Sequence, residues 1–201
     1  MDTGYINIKR ELVKSARKLA AERLVIATDG NISAKQGNNI YIKRSKISFK
    51  SAKSSDFISI KHIHDISIEW RLHDACYSSR PDIKAVVHTH SQAILILASV
   101  GMHIKPVTTD FVIYFKNGIK QVPFASPGSK MLAQKAAKAI KTHNGVILAN
   151  HGLVTVGTTL KEAVTRSILA EREAKITLAS RLLKRPIKGL KPSQIKSIYE
   201  L

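Results

Sequence analysis

The sequence predicts a layered α/β domain with a mixed sheet, and three observations lead there. Residues 8–25 carry an apolar stripe of helical period. The strand-like pieces that follow come both as a hairpin pair and singly between helices. No repeat and no long linker divides the 201 residues, a length that buries a full core without disulfides or a structural metal.

Taken in order, "IKRELVKSARKLAAERLV" places Leu12, Ala16, Leu19, Ala20 and Leu24 on one helix face. "TDGNIS" follows with Asp-Gly and Asn, which favour turns. "ISAK" and "NIYIK" flank the turn "QGNN" as a hairpin, and "FISIKHI" reads as a further strand. "SIEWRLHDACYSS" reads as a helix with Ser67 at its N-cap and Glu69 in its first turn, where the helix dipole favours a carboxylate. "AVVHTH" is a buried type of strand and "SQAILILASVG" an apolar helix stopped by glycine. After a less regular stretch, "IKQVPF" is a strand. "SPGSKMLAQKAAKAIKTHNG" is a turn, a helix and an Asn-Gly stop. "VILANHGLVTVG" is two strands around Asn150, His151 and Gly152, and residues 159–184 form a long closing helix. The expected organisation is one domain over 1–185 with a C-terminal tail over 186–201.

Lysine and arginine number 33 against 14 acidic residues, a net charge of +19. Such an excess suits phosphate-bearing partners. The cations are spread along the whole chain and aromatics make up only 5%, so a phosphorylated metabolite fits better than nucleic acid. The lone Cys76 excludes an internal disulfide and fits a reducing, cytoplasmic setting. The N-terminus lacks the pattern of a signal peptide, and no apolar run approaches the roughly 20 residues that span a bilayer.

The chemistry concentrates in "AVVHTHSQ". Alternate residues of a strand share a face, so His88 and His90 stand side by side. Alone, such a pair reads more readily as hydrogen-bonded strand histidines than as a chelate. His151, a turn histidine in "ANHGLV" followed by a glycine that permits close approach, extends the pair to three. Three neutral imidazoles with one open position suit catalytic zinc. Glu69, on the helix leading into the histidine strand, is the candidate base; helix-dipole complementarity is its alternative role. His73, one turn further, reads as a supporting or core histidine, and His62, His64, His103 and His143 as solvated. Phosphate calls for backbone N–H groups, hydroxyls and a cation. Thr28, Gly30 and Asn31 offer a turn, Ser45 stands among Lys43, Arg44 and Lys46, and Ser67 offers a hydroxyl at a helix start.

Together, "TDGNIS", "IEWRLHDACYSSRPDIKAVVHTHSQ", "VPFASPGSKML" and "ILANHGLVTVG" resemble the class II aldolase/adducin family, in its order and spacing, from the first helix to about residue 180. Within it, the chain looks most like the sugar-phosphate aldolases. The resemblance implies a three-layer α/β/α domain with a central mixed, mainly antiparallel sheet, and a homotetramer with active sites at subunit interfaces. It implies that His88, His90 and His151 bind Zn²⁺, and that Glu69 both approaches the metal and acts as acid/base. It implies that Gly30, Asn31, Ser45 and Ser67 form the phosphate pocket. The implied reaction is reversible cleavage of a sugar 1-phosphate, of the L-fuculose 1-phosphate kind, to dihydroxyacetone phosphate and an aldehyde through a metal-stabilised enediolate. The chain departs from the family aldolase at Ile68, where a second serine is expected, and at Lys46, where a glycine is expected. Tyr114 and Tyr199 are tentative matches for two family tyrosines, one of which comes from a neighbouring subunit. Family relatives with the same histidines act as dehydratases, decarboxylases or 4-epimerases. The adducin head domain, a binding module of the same fold, lacks the metal ligands that this chain keeps.

Overall fold

The computed structural model describes residues 3–62 and 64–200. The first helix, α1 (Thr3–Ala21), stops four residues before the apolar stripe does. Arg23 turns the chain at φ 58°, and Leu24 and Val25 then pack into the core from an irregular segment. The stripe therefore continues as buried side chains without continuing as helix.

Seven strands follow: β1 (Asn31–Gln36), β2 (Asn39–Lys43), β3 (Phe57–Ser59), β4 (Ala85–Thr89), β5 (Lys120–Val122), β6 (Gly145–Leu148) and β7 (Gly152–Gly157). They form one sheet in the order β3-β2-β1-β4-β7-β6-β5. Only β5 and β6 pair in parallel, so the sheet is mixed and mainly antiparallel, as expected. The central strand β4 is buried throughout its length. Its His88 faces Asn31 of β1 on one side and Val154 of β7 on the other.

Strand alternation divides the core in two. Ile32, Ala34, Ala85 and Val87 face α1, with Ala163 and Val164 of α6 (Leu160–Leu182) beside them. Val86, Val146, Leu148, Val154 and Val156 face α2 (Trp70–Ser79) and α5 (Lys130–Ile140). A third cluster joins α3 (Gln92–Ser99), α4 (Thr109–Tyr114) and α6 over Ile147 and Leu153. The result is a sheet between two helical layers.

Two helices fall where the sequence gives only irregular chain. In α4, the side chain of Thr108 caps Phe111 N–H and Asp110 sits in the first turn, both ordinary helix-start signals. In the tail, α7 (Pro192–Tyr199) begins with proline in its first turn, where the missing N–H costs nothing. No helix among the described residues is long and apolar enough to cross a membrane.

Candidate active site

The strands deliver the three histidines to one point. His88 is the next-to-last residue of the buried strand β4, His90 lies just past its end, and His151 sits in the turn between β6 and β7, after Asn150 at φ 57°. Gly152 makes this convergence possible, because a Cβ there would run into the Thr89 carbonyl oxygen and the His88 and His90 rings. Gly30 does the same from the other side. Its φ is 66°, and a Cβ would lie 2.8 Å from the His88 carbonyl oxygen.

One ring nitrogen from each histidine lies within 4.8 Å of the other two. The Nε2 atoms of His88 and His90 are 3.1 Å apart. Glu69 closes the group, with Oε2 3.1 Å from His88 Nε2 and Oε1 3.3 Å from His151 Nε2. Ligands bound tetrahedrally at about 2.0–2.1 Å stand roughly 3.3 Å from one another, so these edges suit one small ion. Orienting partners are also present, as metal-binding imidazoles require. His88 Nδ1 donates to the Leu153 carbonyl at 3.0 Å, which leaves Nε2 to face the cluster. His90 Nδ1 lies 3.5 Å from the Asp29 carboxylate, itself held by the Ile26 N–H at 2.6 Å. Meanwhile Glu69 Oε1 and His151 Nδ1 are buried without a hydrogen bond. A divalent cation fits this donor set.

The electrostatics agree. Burial alone would raise the Glu69 carboxyl, but the adjacent His88 and His151 and the Asn31 amide hold it well below the usual range. Burial lowers His90, and lowers His151 to about 4, with the charge of His88 adding to both effects. Burial opposes charge on His88 too, yet the Glu69 carboxylate beside it raises it overall. The ionised carboxylate and the two imidazoles held neutral, His90 and His151, are in the state that metal binding needs, and a bound cation would take the place of the proton that Glu69 favours on His88.

A cavity of about 340 Å³ opens on this cluster. Thr28, Gly30, Asn31, Ser45, Lys46, Ser67, Glu69, His90 and His151 all line it, while His88 lies fully buried behind them. A larger cleft of about 430 Å³ at the end of α6 contains no carboxylate and only His103, so it offers no comparable chemistry. Ser67 departs from its expected cap position. Helix α2 begins at Trp70 with Glu69 at the N-cap, and no side chain caps it, because the Glu69 carboxylate is turned into the site. The Ser67 hydroxyl instead lies 3.4 Å from Glu69 N–H.

Two lining residues carry more than the sequence indicated. Asp29, read as a turn former, orients His90. Lys43, read as one of the cations beside Ser45, is 2% exposed and donates to the Ile47 and Thr28 carbonyls at 2.5 and 3.3 Å. Burial pushes its ammonium down to about 8 against the pull of Asp29 and Asp56. Strand alternation beside Tyr41 and Ser45 was the signal for it. Tyr114 and Tyr199 are not among the lining residues. The Tyr114 carbonyl meets Asn144, at the opposite end of β6 from His151, and Tyr199 O–H donates to the Val112 carbonyl at 2.7 Å.

Residues 10–178 match the family model for the class II aldolase and adducin N-terminal domain. An L-fuculose phosphate aldolase of Methanocaldococcus jannaschii is 31% identical over 182 residues, 88% of this chain and 99% of that one. A 5-methylthioribulose-1-phosphate/5-deoxyribulose-1-phosphate aldolase of Rhodospirillum rubrum is 28% identical over 180 residues, covering 87% and 81% of the two chains. The solved structure of an L-fuculose 1-phosphate aldolase shares the fold with a TM-score of 0.87 at 27% identity, over 100% of this chain and 97% of that one.

Proposed function

This chain belongs to the class II aldolase and adducin family, and on that premise we propose that it is a zinc-dependent aldolase. It cleaves a sugar 1-phosphate, of the L-fuculose 1-phosphate kind, reversibly to dihydroxyacetone phosphate and an aldehyde. The observation that carries this reading is the matched spacing of His88, His90, His151 and Glu69 at the wall of a cavity whose other wall bears hydroxyls and cations.

His88, His90 and His151 would hold the Zn²⁺, which when bound would supply Lewis acidity to the substrate oxygens. The chain's own residues do the rest. Gly30, Asn31, Ser45 and Ser67 receive the phosphate, with Thr28 beside them and Lys43 and Lys46 supplying positive charge. Anchoring that end fixes the reacting carbons against Glu69. In cleavage the carbon–carbon bond breaks as the hydroxyl of the departing carbon gives up its proton and becomes the aldehyde, and Glu69 delivers a proton to the carbon that keeps the electron pair. In condensation it removes one from dihydroxyacetone phosphate.

We assign this activity to residues 1–185 and treat 186–201 as an appended tail. The working form is a homotetramer with interfacial sites, a reading supported by exposed Ile68, Phe124 and Met131 on segments bordering the cleft. In that assembly Tyr114 and Tyr199 would serve another copy's cavity. Sedimentation in buffered solution tests the assembly, and a monomer at working concentrations would overturn it.

The deciding assay is cleavage of L-fuculose 1-phosphate by zinc-loaded protein, with dihydroxyacetone phosphate read through a coupled dehydrogenase. Product that disappears with chelator is expected. Full turnover in rigorously metal-free protein would overturn the metal reading, and no product from zinc-loaded, folded protein would overturn the substrate.

A further inference from the structure

Behind Glu69 runs a buried file of polar side chains, of which the reaction above uses only Asn31. On α2, residues 69, 73 and 77 recur every four residues and so share one helix stripe. On β1, Asn31 and Ser33 are alternate residues on the face toward that helix. The two rows interleave. Tyr77 O–H and Ser33 Oγ are 2.9 Å apart, and Ser33 Oγ and His73 Nδ1 are 2.6 Å apart. His73 Nε2 meets Asn31 Oδ1, and Asn31 Nδ2 donates to Glu69 Oε2 at 2.9 Å. Asn31, Ser33, His73 and Tyr77 are all at most 5% exposed.

Only one direction of donation satisfies all of them. An ionised carboxylate accepts and cannot donate, so the Asn31 amide nitrogen faces Glu69 and its oxygen faces His73. His73 Nε2 must therefore carry the hydrogen. Burial holds this imidazole neutral, down to about 3, so Nδ1 accepts from the Ser33 hydroxyl. Ser33 oxygen in turn accepts from Tyr77 O–H. Bonds aligned in one sense polarise one another, and here every dipole points at Glu69 Oε2. Oε1 receives none of this support and has no hydrogen bond of its own.

We propose that His73, locked as the Nε2–H tautomer by Ser33 and Tyr77, is a positioning residue that fixes Asn31 and through it Glu69 Oε2, so that Oε1 is the oxygen that carries the proton. The inference rests on the reading of Glu69 as acid/base. It concerns a different property of the molecule from the identity of the sugar.

Two measurements test it on the full chain. Nitrogen-15 NMR of histidine-labelled wild type, with the His73→Gln spectrum assigning the signal, reads the tautomer without any catalysis. An Nε2–H tautomer is expected, and an Nδ1–H tautomer or an imidazolium at neutral pH overturns the proposal. The second measurement is exchange of the carbinol hydrogen of dihydroxyacetone phosphate into deuterated water by zinc-loaded protein. That half-reaction uses Glu69 and needs no aldehyde. Ser33→Ala should slow exchange ~10- to 100-fold, with the Michaelis constant and the Co²⁺ absorption of the metal-substituted protein unchanged. His73→Gln, which keeps an N–H toward Asn31, should recover much of the rate lost in His73→Leu. Tyr77→Phe, the mildest change, should slow exchange least. Exchange at the wild-type rate in folded Ser33→Ala overturns the proposal, as does a loss that follows metal content or melting temperature. Wild type that neither exchanges nor cleaves sinks the aldolase reading instead, and the tautomer still decides the direction of the file.

Discussion

Among the described residues three glutamates are buried, and they are buried differently. Glu171 and Glu173 on α6 are spent on backbone. Glu171 accepts from Ala93 and Ile94 N–H at 3.1 and 3.3 Å, at the start of α3. Glu173 accepts from Val107 N–H, and from Thr108 N–H and hydroxyl at 2.9 and 3.0 Å, at the start of α4. Each carboxylate faces a helix N-terminus, where its charge is favoured. Glu69 is 6% exposed, yet one of its oxygens lacks a hydrogen-bond donor and faces imidazoles. A buried charge whose lone pairs are filled by backbone holds a fold together. One left partly unfilled is arranged for something that arrives later.

The contrast is sharpest when each kind is broken. His88→Ala should abolish metal retention and turnover together in a protein that still folds, read by metal analysis and circular dichroism. Retained metal with retained turnover would remove His88 from the centre. Glu69→Gln should lower turnover about 10²- to 10⁴-fold. Glu173→Gln should do the reverse, costing about 1–3 kcal/mol in denaturant titration and leaving turnover per folded molecule intact. If the two exchange phenotypes, the distinction fails.

Smaller effects belong to the anion end. Lys43 is charged below about 8 and uncharged above it, so the Michaelis constant for a phosphorylated substrate should rise several-fold as pH climbs through 8. Stability without ligand should rise over the same range in which substrate affinity falls. The unfolded chain keeps the Lys43 proton up to its ordinary value of 10.5 while the folded chain releases it near 8, so its contribution rises with pH between the two. Lys43→Met should flatten both profiles. Lys46, exposed and held at φ 59°, should give the smallest change. Lys46→Gly relieves about 1 kcal/mol of left-handed strain and raises melting temperature slightly, while substrate affinity falls modestly.

How much of this was legible follows from where each group sits. His88 and His90 were readable because a strand has a period of two, and His151 because it interrupts two apolar runs. Glu69 was found, but its helix was taken to start earlier, since the sequence does not say that a carboxylate in a first turn is pulled away to other partners. Lys43 was read as one of the cations beside Ser45 for phosphate, but its burial stayed hidden because a lysine among charged neighbours looks solvated until β2 turns it inward. Asp29 was hidden by its own turn propensity. α4 and α7 are too short for periodicity to stand out, although Thr108 and Pro192 mark their starts.

One consequence concerns time. His88 is paired with Asn31 on one flank and with Val154 on the other, so the cluster does not exist until strands from the beginning, middle and end of the chain have come together in register. A slip of one residue on either flank turns the partner side chains to the opposite face. Metal uptake during refolding therefore reports the joining of β1, β4 and β7 in register. An ion whose colour changes on capture, such as Co²⁺, should lag behind the appearance of helix.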